Sequence, residues 1–198
     1  ELLQFFQART DDMLEHVKTL ARIESPTKSK PDVDAVGVHL AQTCRDLGAE
    51  VKVYPRDEVG DIVLATWNAD APGKPIMFIS HMDTVWPVGT IEDMPLHEKD
   101  GMLYGPGVAD MKGGVVVTLE AIRGLIDRGE LPNRPVWLFL NTDEETGSVY
   151  SRDLIHELAA GAGLVLVTEP GNLDASLKTW RKGFGRFKIT AKGRASHS

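Results

Sequence analysis

The chain has 198 residues, enough for one sizeable core or for one domain and part of another. Its net charge of −7 argues against a general nucleic-acid or membrane-surface binder, since both need a basic footprint. No apolar run approaches the roughly 20 residues of a membrane-spanning helix, and the single cysteine, Cys44, excludes an intramolecular disulfide and a Cys-based zinc site.

In chain order, apolar positions Leu14, Val17, Leu20 and Ala21 recur at helical spacing and predict one amphipathic helix over most of residues 1–24, stopped by Ser25-Pro26-Thr27. Asp32 is the expected N-cap of a second helix. That helix has Val33, Val36, Leu40, Cys44 and Leu47 on one face and Gly48 just past its end. Residues 50–54 (EVKVY) and 61–67 (DIVLATW) alternate as strands, and 76–80 (IMFIS) reads as a strand inside a sheet covered on both faces. A Gly- and Pro-rich loop spans 81–110. A helix follows with Val115, Val116, Leu119, Ile122 and Ile126 facing the core. Strand 136–141, helix 151–160 and strand 164–168 come next, then two longer strands near 174–180 and 184–192. The alternation predicts an α/β fold, a three-layer α/β/α sandwich on a mostly parallel central sheet. The chain starts at Glu1 without Met and stops at Ser198 without a closing element, so a piece of a longer protein is expected.

Ligands of such sheets gather outside the carboxyl ends of the strands. His81 and Asp83 follow one apolar strand, Asp143, Glu144 and Glu145 another, and Glu169 a third; the long loop delivers Asp110 just ahead of a helix. Taken singly, each has an ordinary reading: a surface histidine, an N-cap, a solvated turn. Together, at equivalent topological positions, these carboxylates repel one another unless cations neutralise them. A donor set of histidine and carboxylates without thiolate suits zinc, cobalt or manganese. The arrangement expected is a metal-assisted hydrolase, with Glu145 on the metal and Glu144 turned away as the base. No dinucleotide fingerprint, P-loop or Gly-x-Ser-x-Gly elbow is present, and Cys44 falls on a predicted core face.

The strings SHMDTV (80–85), YGPGVADMKGG (104–114), NTDEETGSVYSRDLI (141–155), TEP (168–170) and GRASHS (193–198) resemble the M20 family of metallopeptidases, and most of all its glutamate carboxypeptidase (carboxypeptidase G) branch. The resemblance implies a zinc-peptidase catalytic domain over 1–182 and the start of an α+β lid and dimerisation domain at 183–198. It implies two zinc ions bridged by Asp110, with His81 and Glu169 on one and Glu145 on the other. Glu144 would be the general base and Asp83 would orient His81. His197 would stabilise the tetrahedral intermediate in a partner subunit of a homodimer, and a cis peptide would follow Asp110.

The function so implied is hydrolysis of an amide next to a free carboxylate, releasing a C-terminal glutamate or similar residue from a small peptide. The alternatives are an N-acyl amino-acid deacylase of the acetylornithine or succinyl-diaminopimelate type, a non-catalytic metal-binding relative, and a merely solvated acidic rim. The last histidine ligand, most of the lid and the substrate-carboxylate clamp would lie outside these residues, so weak or no turnover is expected of the 198 residues alone.

Overall fold

The computed structural model describes residues 2–172, 174, 176–183, 185, 187–190, 192 and 193. Within the span predicted as one amphipathic helix, two form. Helix α1 (Leu2–Ala8) ends at Arg9 and α2 (Thr10–Arg22) resumes at once. The Arg9 guanidinium reaches the Glu120 carboxylate at 2.6 Å, and Phe5 and Phe6 lie against Gly124, a long-range anchoring that helical periodicity does not reveal. Helix α3 (Lys30–Asp46) starts two residues before the expected cap. Ser29 flanks it, Pro31 sits in its first turn, and Asp32 lies inside that turn, accepting a hydrogen bond from the Ser29 hydroxyl. Its predicted apolar face is buried throughout, and Gly48 takes the left-handed conformation (φ 81°) that ends it.

Strands β1 (Glu50–Tyr54), β2 (Ile62–Trp67), β3 (Ile76–His81), β6 (Val136–Asn141) and β7 (Leu164–Val167) form a sheet in the order β1-β2-β6-β3-β7. β3 runs parallel to both β6 and β7, whereas β2 runs antiparallel to β1 and β6. The sheet is thus mixed, and its parallel half is the part that gathers strand ends. Helices α2, α3 and α5 (Gly113–Asp127) cover one face, around Leu40, Val63, Leu119, Leu138 and Leu140. Helix α6 (Arg152–Gly161) covers the other, through Leu154, Ile155 and Leu158 over Met77 and Phe139.

The 81–110 loop contains the short helix α4 (Thr90–Asp93) and a hairpin of β4 (His97–Lys99) and β5 (Met102–Tyr104). Asp100 and Gly101 turn that hairpin with φ of 52° and 74°, the Asp-Gly signature of a tight two-residue turn. The strands expected near 174–180 and 184–192 are not formed by the described residues of those segments, none of which pairs with a neighbour. Leu177, Trp180, Phe187 and Ile189 stand exposed there. Alternation makes a strand only where a ladder partner and an apolar surface meet it.

Candidate metal centre

The parallel register explains why the predicted residues meet. His81 closes β3 opposite Asn141 at the end of β6, and Ile79 stands opposite Val167 at the end of β7. Residues 143–145 and Glu169 therefore leave the two strands that flank β3, at the same edge of the sheet. Asp110 arrives from the irregular turn Val108–Lys112, followed by a cis Asp110–Met111 peptide. Two glycines allow this approach. Gly107 has φ 70° and lies where a Cβ would stand 2.8 Å from Thr84, and a Cβ on Gly114 would overlap the Thr168 carbonyl.

His81 is 2% exposed, with Nδ1 2.9 Å from the Asp83 carbonyl oxygen and 3.4 Å from its carboxylate. Its Nε2 faces Asp110 Oδ1 at 3.0 Å and Glu169 Oε1 at 3.3 Å, with Glu144 Oε2 at 4.0 Å. One ligand atom from each of His81, Asp110 and Glu169 lies within 4.8 Å of the others, spacing that suits a single cation. Burial opposes charge on His81, but hydrogen bonds to Asp83 and Glu169 outweigh it and push its pKa up to about 11. The surrounding carboxylates thus favour the charged form of the imidazole. The His81 hydrogen bond holds the Glu169 carboxyl below the ordinary range, reinforced by its bond to Asp110.

The three consecutive acids serve three different ends. Asp143 is fully buried and accepts hydrogen bonds from the Tyr150 amide (2.7 Å) and the Ser151 hydroxyl (2.6 Å), so it shapes the turn into α6. Glu144 is half exposed and faces the histidine; burial and the nearby Glu169, Asp83 and Asp110 raise its pKa, against the effect of His81. Glu145 lies outside the three-residue cluster, but burial and the neighbouring Asp110 charge push its pKa to about 7. His197 lies outside the described residues.

Asp83 does more than face His81. Its carboxylate also accepts the Thr27 hydroxyl at 2.7 Å and the Glu144 and Glu145 amides at 3.3 and 3.2 Å, tying the acidic turn to the histidine. Lys112 is buried beside Met111 and donates to the Leu20 and Ile23 carbonyls at 2.9 and 2.7 Å, pinning the Asp110 turn to the end of α2. Sequence alone identified neither Thr27 nor Lys112. Ser25-Pro26-Thr27 carries only a helix-stop signal, and a lysine next to a ligand motif has no periodicity to mark it as buried.

The sequence profile of peptidase family M20/M25/M40 matches residues 77–190, a span that holds His81, Asp110, Glu144, Glu145 and Glu169. The chain belongs to this family. It is 35% identical over 199 residues to carboxypeptidase G2 of Pseudomonas sp. (strain RS-16), covering 98% of this chain and 48% of that protein. It is 31% identical to the succinyl-diaminopimelate desuccinylase of Gluconacetobacter diazotrophicus, over 90% of this chain and 50% of the relative. The fold matches that of human carnosine dipeptidase 1 with a TM-score of 0.75 at 21% identity, over 87% of this chain and 41% of the human one. The chain spans about half the length of the curated relatives it matches.

Proposed function

We propose that the protein carrying this chain is a metal-dependent carboxypeptidase that cleaves an amide bond next to a free carboxylate. One observation carries this reading: His81 Nε2, Asp110 and Glu169 converge at the carboxyl ends of parallel strands, with Glu144 4.0 Å from the same nitrogen. His81 and Glu169 would hold one zinc ion, Asp110 would bridge to a second, and Glu145 would contribute to that second ion; cobalt or manganese suits the same donors. A bound divalent ion supplies Lewis acidity to the scissile carbonyl and a lowered pKa to water.

The chain's own residues do the rest. Asp83 fixes the His81 ring through Nδ1 and holds the 144–145 turn by its amides. Glu144, raised in pKa by burial and by its carboxylate neighbours, accepts the proton of the attacking water and returns it to the leaving nitrogen. Residues 1–182 would form the first part of the catalytic domain and 183–198 the start of a lid through which the protein dimerises, bringing His197 to the partner's site. The carboxypeptidase reading takes support from the relative at 35% identity, and the desuccinylase at 31% supports a second reading as an N-acyl amino-acid deacylase.

The test is to load the full-length protein with zinc and to offer a C-terminal glutamyl peptide and N-acetylornithine side by side, with Glu144→Ala as control. Glutamate release that vanishes in the variant is the expected result. Turnover of acetylornithine alone would move the protein to the deacylases, and no metal-dependent turnover of either would overturn the reading.

A further inference from the structure

His81, Asp110 and Glu169 reach the cluster from three separate segments, so their spacing depends on what joins those segments beneath it. The backbone ladder between β3 and β7 stops short of the cluster. Its last bond runs from the Thr168 amide to the Ile79 carbonyl at 3.2 Å. Pro170 follows Glu169 and has no amide with which to extend it. On β3, the Met82 amide donates to the Asn141 carbonyl of β6 at 2.8 Å, so by alternation the His81 amide faces the β7 side. There it donates to Met111 Sδ at 3.1 Å. The sulfur thus takes the place of a β7 carbonyl where the ladder ends, and the Thr168 carbonyl lies against Gly114 of α5.

Beyond the ladder, side chains carry the register on. Ile79 pairs with Val167, so Ser80 falls opposite Thr168 and His81 opposite Glu169. The Ser80 and Thr168 hydroxyls share a hydrogen bond of 2.7 Å, and His81 Nε2 stands 3.3 Å from Glu169 Oε1. Successive strand residues point to opposite faces. Ser80 therefore follows Phe78 towards the face covered by α2, α3 and α5, and His81 follows Met77 and Ile79 towards the other. The two pairs stand back to back, hydroxyls on one face of the sheet and ligands on the other. Ser80 is 1% exposed, so water has little access to the hydroxyl bond.

We propose that Ser80 and Thr168 are positioning residues of the metal centre: their hydroxyl pair fixes the separation of His81 and Glu169 and thereby sets how tightly zinc is held. The inference rests on the metal-centre reading above. Ligands that close on a cation lose their freedom to spread, and a clasp already holding the two strand ends removes that ordering cost from the binding step. Neither hydroxyl touches the cation. Both act through the backbone of the ligand that follows them in the chain.

The test is a calorimetric zinc titration of the metal-free, full-length protein and its variants. Thr168→Val keeps the side chain's shape without its hydroxyl, Ser80→Ala removes the partner, and Thr168→Ser keeps the hydroxyl. Thr43→Val removes a hydroxyl that bonds the His39 carbonyl within α3, away from the cluster. Thr168→Val and Ser80→Ala are each expected to weaken zinc binding about tenfold, and the double variant no more than either alone, because the pair acts as one unit. Thr168→Ser and Thr43→Val are expected to bind zinc as the wild type does. Denaturant midpoints of the metal-free proteins are measured alongside. Ser80→Ala and Thr43→Val each lose one hydrogen bond and are expected to fall by similar amounts, so a difference in zinc affinity between them reports position rather than stability. Unchanged affinity in both Thr168→Val and Ser80→Ala, losses that add in the double variant, or a loss shared by Thr168→Ser or Thr43→Val would overturn the clasp while the wild type still binds zinc. No zinc uptake by the wild type would contradict the metal-centre reading itself, and the clasp with it.

Discussion

The two ends of the same strands are built differently. At the carboxyl ends of β3 and β6 the chain buries Ser80, His81, Asp83, Asn141, Thr142 and Asp143, each in a hydrogen bond that the fold supplies. At the start of β6, next to the end of β2, Val136 and Trp67 close the core, and the Trp67 indole N–H donates to the Leu47 carbonyl at 2.9 Å. Burying polar groups is costly unless every one finds a partner, so concentrating them at one end marks where chemistry, not stability, sets the sequence. The apolar end holds the fold together. The polar end presents charge.

This contrast predicts that the two ends fail in different ways. The largest effect falls on turnover. Glu144→Gln in the metal-loaded full-length protein is expected to lower kcat by about 10²–10⁴-fold while leaving the thermal midpoint in place, because the side chain is half exposed and the turn is held by Asp83 and Asp143. The mirror image is Leu138→Ala. Leu138 is fully buried between β2 and β3, and its truncation is expected to cost about 2–5 kcal/mol in denaturant unfolding. Thr27→Val tests the seam between chemistry and stability. It removes the hydroxyl donated to the buried Asp83 carboxylate and is expected to cost about 1–3 kcal/mol, with reduced activity because Asp83 also holds the Glu144 and Glu145 amides.

Smaller effects are read by pH and by reagent. Burial opposes charge on Glu120, yet hydrogen bonds from Arg9 and Arg123 hold its pKa below the ordinary 4.5. A carboxyl depressed in the folded state adds stability above its unfolded pKa, and that contribution is lost as pH falls through the folded value. Arg9→Met is therefore expected to lower stability at neutral pH and to flatten its decline below about pH 4.5, as followed by urea midpoints against pH. Burial pushes the Cys44 thiol up to about 12, so a thiol reagent at pH 8 is expected to label the protein only after denaturation.

Much of this was legible in the sequence because it rests on local pattern. Helical spacing at Val115, Val116, Leu119 and Ile122 and the apolar runs at 76–80 and 136–141 dictate their elements, and the acids that follow those runs fall at one sheet edge once the strands are parallel. What escaped depends on contacts between distant segments. The break at Arg9 follows from Glu120, more than a hundred residues away. The antiparallel entry of β2 beside β6 leaves no trace in either strand's composition. The strands expected near 174–180 and 184–192 have suitable alternation but, among the described residues, no ladder to join. Asp143, Glu144 and Glu145 read alike as letters; only Tyr150, Ser151 and Asp83 give them separate roles.

The most direct test of the metal centre is a calorimetric zinc titration of the metal-free, full-length protein beside its Asp110→Asn variant, at neutral pH. Asp110 is exposed on its side chain, so the variant is expected to fold. Micromolar or tighter binding with proton release from His81, weakened in the variant, is the predicted result. Zinc uptake of equal affinity in both proteins, or none in either, would contradict a metal site at His81, Asp110 and Glu169.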